Sequence, residues 1–301
     1  EVIIIFVILR LFQLLLLYRF CVYFYPTIGG VPRLNHKYFK KMFIFGGWVG
    51  VSNVLSPIQE NIEKYLLAAF LPISAIIFYT IPKDILDKVN MISGGLSLAL
   101  FPTIGINSMR KLNNISDLFI ISLKLLTIIL SILLFLLALF VELMLEFWID
   151  INFSVKSTPV VYLMIFGVFA TSINILIMSF FQGVGKPDIT AKLQFFRMPV
   201  IIFVSWILIA NYGLFGAAIS WSVGRLFALL LNLIFIIKTL RISQYKSEII
   251  KTLSFFTVPI IGLLFSKIVY IMSTWESMFF GGIFILIMII LFWNYFLEIK
   301  D

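Results

Sequence analysis

Two clusters of ionisable side chains interrupt long apolar stretches of the sequence. The first contains Glu60, Glu63 and Lys64, and the second contains Lys83, Asp84, Asp87 and Lys88. Three pairs of opposite charge are spaced four residues apart, which lets them neutralise each other along one face of a helix. These pairs are Glu60 with Lys64, Lys83 with Asp87, and Asp84 with Lys88.

The two clusters lie at the same distance from a predicted turn. Glu60 precedes Pro72 by 12 residues and Asp84 follows it by 12, so a helix on each side places both about 18 Å from that turn. Two interpretations of this shared layer remain: a structural ion-pair network, or a water-filled cavity for a polar substrate or a coupling ion. In the second interpretation, the candidates for proton or sodium coupling are Glu60, Glu63, Asp84 and Asp87.

Further cations lie in apolar stretches without an acid nearby in the sequence. They are Arg10, Lys124, Arg197 and Arg225. Arg225 stands about 12 residues from each end of its predicted span. Its planar guanidinium suits a phosphate or carboxylate group, although a backbone carbonyl or an acid on another helix is an alternative partner. The candidate substrate-binding cations are Arg225, Arg197, Lys64 and Lys88.

The composition excludes a water-soluble domain. Apolar residue types make up 62% of the 301 residues and charged types only 12%, about half the usual share in soluble proteins. The single Cys21 and the single His36 exclude a disulfide framework and the usual zinc sites, so the sequence predicts neither a cofactor nor an enzyme. The net charge of +9 is dispersed between apolar runs, which is typical of membrane-protein loops and not of nucleic-acid binding.

Apolar runs long enough to cross a bilayer recur along the whole chain. Nine spans are predicted, at residues 2–25, 42–70, 73–106, 118–148, 159–181, 189–210, 214–237, 249–272 and 278–297. Prolines at positions 57, 72, 82 and 102 are expected to kink or end the long second and third spans. The sequence therefore predicts an all-α polytopic membrane protein.

Lysine and arginine residues are concentrated in alternate connections between these spans. The basic connections carry Arg33, Lys37, Lys40, Lys41, Arg110, Lys111, Lys186, Lys192, Lys238, Arg241, Lys246 and Lys251, whereas the others carry Lys156. The positive-inside rule places the basic connections and the C-terminus in the cytoplasm. Residue 1 then lies outside, and since the sequence opens without Met or a signal peptide, we expect a C-terminal portion of a longer chain.

Three stretches form an ordered series of motifs. They are residues 45–53 (FGGWVGVSN) with Pro57, residues 94–96 (GGL) with 100–102 (LFP), and residues 182–188 (QGVGKPD) followed by Tyr212, Gly213, Gly216, Ala217, Ala218, Trp221 and Arg225. In this order they resemble the Wzx-type polysaccharide flippases of the multidrug/oligosaccharidyl-lipid/polysaccharide exporter superfamily. The resemblance covers residues 42–240, and the motif positions expected to shape turns and close helix contacts are Gly183, Gly185, Pro187, Asp188, Gly213 and Gly216.

The resemblance implies a MATE-like architecture of two six-helix lobes around a central cavity. On that template, residues 1–25 are the last helix of an incomplete first lobe, 26–41 a cytoplasmic linker, 42–240 the second lobe, and 245–301 two extra C-terminal transmembrane helices. The implied activity is translocation of undecaprenyl-diphosphate-linked oligosaccharide repeat units across the cell inner membrane by alternating access. The implied partners are this lipid-linked oligosaccharide, membrane lipid, and a polysaccharide polymerase with its chain-length machinery.

Other transport and enzyme classes remain as alternatives. Within the same superfamily they are a drug or cation antiporter and a peptidoglycan-precursor flippase. A membrane glycosyltransferase or polymerase is disfavoured, because such enzymes need long outer loops and the outer connections predicted here run about 2 to 12 residues.

The charge bias makes the predicted topology testable with reporter fusions. Fusions after Lys41, Lys111, Lys186 and Lys246 are expected to report cytoplasm, and fusions near Pro72, Ile151 and Thr274 the outer side. A single fusion reporting the opposite side would contradict the arrangement of nine spans.

Overall fold

The computed structural model describes residues 2–26, 36–109, 114–240, 242–258 and 260–261. The helices, in chain order, are α1 (Val2–Phe24), α2 (His36–Phe70), α3 (Ile73–Met109), α4 (Asn114–Trp148), α5 (Ile151–Gly183), α6 (Pro187–Leu240) and α7 (Lys246–Ser254). A short 3-10 helix, Ser243–Tyr245, precedes α7. These described ranges contain helices and no strand, which confirms the predicted all-α class.

Five of the helices are long and apolar enough to cross a membrane, as expected for a polytopic membrane protein. They are α1, α3, α4, α5 and α6. The second predicted span lies in α2, whose described residues are less apolar and do not place it among these five helices. The last predicted span, 278–297, and half of 249–272 lie outside the described residues. The count of nine therefore stays a prediction.

A backbone break divides α6 into two helices. Gly213 has φ 55° and ψ −125°, so residues 187–212 form one helix, α6a, and residues 214–240 form the next, α6b. These two helices correspond to the sixth and seventh predicted spans. A Cβ atom on Gly216 would lie 1.9 Å from the carbonyl oxygen of Leu208, so the two backbones touch directly after the turn. Glycine is required at both positions, by conformation at Gly213 and by space at Gly216.

Helix α5 packs against α3, α4 and α6 and carries much of the core. Its start lies beside the start of α3, where the Phe78 and Phe153 rings are 5.2 Å apart. Its end lies beside the end of α3, where a Cβ atom on Gly183 would meet Ile104 at 2.6 Å. Helices α3 and α5 therefore run parallel, which aligns residues of similar depth on the two helices.

One predicted boundary is wrong. The fifth span was expected to begin at Pro159, but α5 begins at Ile151, because the Asp150 side chain accepts a 2.7 Å hydrogen bond from the Phe153 amide and caps the helix. Helix α2 begins at His36, within the predicted linker 26–41, and the linker itself stays a prediction. Basic residues that were assigned to this linker, Lys40 and Lys41, therefore lie on α2.

The chain divides into two compact units, Glu1–Gly46 and Gly47–Asp301. In the first unit, α1 is exposed along nearly all of its described length, and Arg10 donates a 3.3 Å hydrogen bond to Gln13. The second unit contains the rest of α2 and the helices α3 to α7, and the candidate site lies wholly within it.

The close approach at Gly216 generates a stability prediction. Gly216→Ala is expected to lower the melting temperature of the purified protein, because the added Cβ must push α6a and α6b apart at a cost of about 1–3 kcal/mol. Gly224→Ala is the matched control, since its Cβ would meet Ile201 at an ordinary 3.6 Å. Equal melting temperatures for the two variants would refute the direct backbone contact.

Candidate functional site

Gln59 of α2 links three helices through its side chain and backbone. Its Nε2 donates to the carbonyl oxygen of Gln194 at 2.7 Å, and its Oε1 accepts from Arg197 Nη2 at 3.1 Å. Its own carbonyl oxygen accepts from Arg225 Nη2 at 3.3 Å. Because Gln194 and Arg197 lie on α6a and Arg225 lies on α6b, one glutamine brings two guanidinium groups to the same place.

Arg197 is buried with most of its hydrogen-bonding capacity unused. The residue is 6% exposed, and its Nε and Nη1 atoms have no hydrogen-bond partner in the described part of the chain. No carboxylate of the described residues lies within ion-pairing distance of it. A buried guanidinium without a counter-ion is energetically costly, so this position favours binding of an anion.

Arg225 is positioned by several neutral groups. Its guanidinium lies 5.5 Å from the centre of the Trp221 ring, and its backbone carbonyl accepts from Asn174 Nδ2 at 3.3 Å. Asn232 donates in turn to Asn174 Oδ1 at 2.8 Å. The backbone-carbonyl alternative is therefore correct for one of its hydrogen bonds, yet the described residues supply no carboxylate within 4 Å.

The two arginines line a small polar cavity of about 50 Å³. Its lining residues are Ser56, Gln59, Glu60, Thr171, Asn174, Ile175, Met178, Gln194, Arg197, Arg225 and Ala228. Two cations against one acid give the lining a net positive charge. A cavity of this size has room for water but not for a diphosphate, so the site is closed in this conformation.

Glu63 is a second buried charge, one helical turn from Gln59. It is 2% exposed; its Oε1 accepts from Ser205 Oγ at 3.5 Å, and its Oε2 has no hydrogen-bond partner among the described residues. Arg225 and Lys83 interact with it electrostatically. The Tyr79 hydroxyl is fully buried, has no hydrogen-bond partner among the described residues, and interacts electrostatically with Glu63. A carboxylate in this position partly balances the arginine pair.

The predicted ion pairs are formed only in part. Lys83 pairs with Asp87 at 3.0 Å, which confirms that prediction. Lys64 pairs instead with Asp84 on α3 at 3.5 Å, so the predicted in-helix pairs Glu60 with Lys64 and Asp84 with Lys88 are wrong. The two clusters lie at equal distances along the chain from Pro72, on either side of it. This places Lys64 of α2 close enough to Asp84 to form an ion pair with it. One ion pair therefore joins α2 and α3, and the shared polar layer stays a prediction.

The structure brings together only some of the predicted site residues. Arg197 and Arg225 meet, and Glu60 lines their cavity. Lys88 and Asp84 are exposed and do not line it. Sequence reasoning missed three residues around the arginines: Gln194, which contacts Gln59, Asn174, which contacts the Arg225 backbone, and Asn232, which contacts Asn174. It also missed Ser205, which donates to Glu63. Their amide and hydroxyl groups inside apolar runs were the available signal.

The glycine and proline motif at residues 182–188 forms a turn between α5 and α6. Gly183 contacts α3, and Gly185 has a φ of 78° that favours glycine. Pro187 begins α6, and Asp188 pairs with Lys192 at 2.8 Å across the first helical turn. These motif residues thus shape the connection and do not contact the arginine cavity.

Comparison with known proteins gives one relevant similarity. The chain is 28% identical over 200 residues to the "Putative O-antigen transporter" of Shigella flexneri. The aligned part covers 65% of this chain and 46% of that protein, so the chain spans about half the length of the relative it matches. No protein-family model matches the chain. No solved structure matches it either.

Gln59 provides a direct test of the site's construction. Gln59→Leu is expected to destabilise the protein by about 1–3 kcal/mol or more, because it leaves the Arg197 guanidinium without a described partner. Gln13→Leu is the control, since Gln13 is exposed on α1. Thermal unfolding checks the pair, and a Gln59→Leu protein as stable as Gln13→Leu would show that Gln59 does not hold the arginines.

Proposed function

We propose that this protein acts in a flippase that moves a lipid-linked anionic oligosaccharide across the cytoplasmic membrane for surface polysaccharide synthesis. The observation that carries the proposal is the pair formed by the buried Arg197 and the half-buried Arg225, neither of which has a paired carboxylate among the described residues, together with the similarity to the Shigella flexneri protein. The ordered glycine and proline motifs of residues 42–240 point to the same class of transporter.

The chemistry of the site fits the diphosphate of such a substrate. Arg197 offers two nitrogens, Nε and Nη1, that have no described hydrogen-bond partner, and Arg225 lines the same cavity. Diphosphate oxygens accept hydrogen bonds from guanidinium groups in a bidentate arrangement. The cavity must widen to admit the group, as alternating access requires.

Among the four candidate acids, Glu63 is the one we propose for ion coupling. It is buried and interacts electrostatically with Arg225, whereas Asp84 and Glu60 are exposed. Binding of a proton or sodium ion at Glu63 would remove its attraction for Arg225 and leave the guanidinium to the substrate. The coupling ion and the substrate head group would then influence each other through one pair of charges.

The net positive charge of the cavity argues against the alternative of a drug or cation antiporter. An exporter of cationic drugs needs an acidic cavity, and the described lining contains Arg197 and Arg225 against Glu60. In the proposed setting the protein lies in the cell inner membrane with its C-terminus in the cytoplasm.

Two substitutions at Arg225 distinguish the effect of its charge from the effect of its planar guanidinium geometry. In the full-length protein, Arg225→Ala is expected to abolish polysaccharide export, and Arg225→Lys to retain only part of it, because lysine keeps the charge but loses the bidentate geometry. Lys192→Ala is the control, since Lys192 is exposed and paired with Asp188. Export and membrane abundance are measured together.

The two readouts distinguish binding from folding. Substrate binding by Arg225 predicts normal membrane abundance with lost export. Loss of both variants from the membrane would assign Arg225 a structural role, and normal export by an abundant Arg225→Ala protein would reject the proposed site.

A further inference from the structure

A second cavity of about 450 Å³ lies between α3 and α5. Its lining residues are Gly94, Ser97, Leu98 and Phe101 on α3, and Ile175, Met178, Ser179 and Gln182 on α5. Both sets follow the spacing i, i+3, i+4, i+7, so each is one continuous helix face. Because the two helices run parallel, these faces form a groove about 10 Å long. We call this cavity the α3/α5 groove.

Close contacts between the helices bound the groove at both ends. At one end Ser172 of α5 donates a 2.8 Å hydrogen bond to Asn90 of α3. At the other end Gly183 packs on Ile104 so closely that a Cβ atom would lie 2.6 Å from it. Between these contacts, Gly94 contributes no side chain to fill the gap, and a Cβ atom there would meet nothing within 4 Å.

The lining is suited to a hydrocarbon chain. Leu98, Phe101, Ile175 and Met178 supply apolar walls. The Ser179 hydroxyl is occupied, since it donates to the carbonyl oxygen of Leu176 at 2.8 Å. The volume lies within the range of ordinary small-ligand sites.

The groove adjoins the arginine cavity. Ile175 and Met178 line both, so the two spaces are separated by no more than these side chains. A site with cations at one end and an apolar groove beside it matches an amphipathic anion, whose head group and chain need opposite environments.

We propose that the α3/α5 groove seats the hydrocarbon chain of an amphipathic anion whose head group binds at Arg197 and Arg225. This inference rests on the proposed function for the head group but concerns a separate set of residues. It assigns Gly94 the role of keeping the groove open, and Ile175 and Met178 the boundary between chain and head group.

The test uses a pair of neighbouring glycines. Gly94→Leu places a side chain in the groove at a position where the Cβ atom meets nothing within 4 Å. Gly95→Leu adds the same side chain at a position that does not line the groove and whose Cβ atom is equally uncrowded. Both changes favour the helix, so loss of folding is not expected. Affinities for inorganic pyrophosphate, farnesyl diphosphate and farnesol are measured with the purified protein in nanodiscs of neutral lipid, against empty nanodiscs.

Farnesyl diphosphate is expected to bind the wild-type protein about tenfold or more tightly than pyrophosphate, because burial of a few methylene groups suffices for that gain. Gly94→Leu should remove the gain and farnesol binding while leaving pyrophosphate affinity unchanged, and Gly95→Leu should behave as wild type. The groove assignment would be overturned if the two leucine variants changed the affinities equally, or if farnesyl diphosphate bound the wild-type protein no more tightly than pyrophosphate. Either result is expected if a bilayer lipid occupies the groove. Absence of pyrophosphate binding together with Gly94-dependent farnesol binding would instead reject the head-group site.

Discussion

The cost of placing guanidinium groups inside an apolar helix bundle governs the rest of this structure. A charged side chain at such depth needs hydrogen bonds or a counter-ion to be tolerated. Here Gln59 accepts one hydrogen bond from Arg197 and another from Arg225, and Nε and Nη1 of Arg197 have no partner in the described chain. Neutral groups thus hold the two guanidinium groups in place, and Glu63 balances their charge only in part, which leaves positive charge available to a ligand.

The surrounding fold provides the rigid frame that this arrangement requires. The turn at Gly213 folds α6b back on α6a, and Gly216 lets the two backbones touch, so Arg197 and Arg225 face the same space from consecutive helices. Ile175 and Met178 of α5 line both the arginine cavity and the α3/α5 groove, so the two spaces are adjacent. The same packing therefore creates a polar cavity and an apolar groove side by side.

The sequence predicts the helical class well, because long apolar runs are a local signal. Isolated charges within those runs single out the two arginines, whose role in binding stays a proposal. It does not predict which amide contacts them, since Gln59 finds its partners on helices more than a hundred residues away, such as Arg197. The predicted partner of Lys64 is wrong for a related reason. Glu60 lies on the same helix as Lys64, but the ion pair forms with Asp84 on the next helix. The start of α5 differs from the prediction because Pro159 lies within the helix, and the Asp150 cap begins it at Ile151.

The central claim is that the arginine pair binds a diphosphate group. Its most direct test is the melting temperature of the purified protein as inorganic pyrophosphate is added, for wild type and for a variant with both Arg197 and Arg225 changed to Gln. A ligand that binds the native state raises its stability in proportion to the logarithm of concentration once the site is saturated. The account predicts such a rise for wild type and none for the variant. An identical response of both proteins, or no response of wild type, would contradict it.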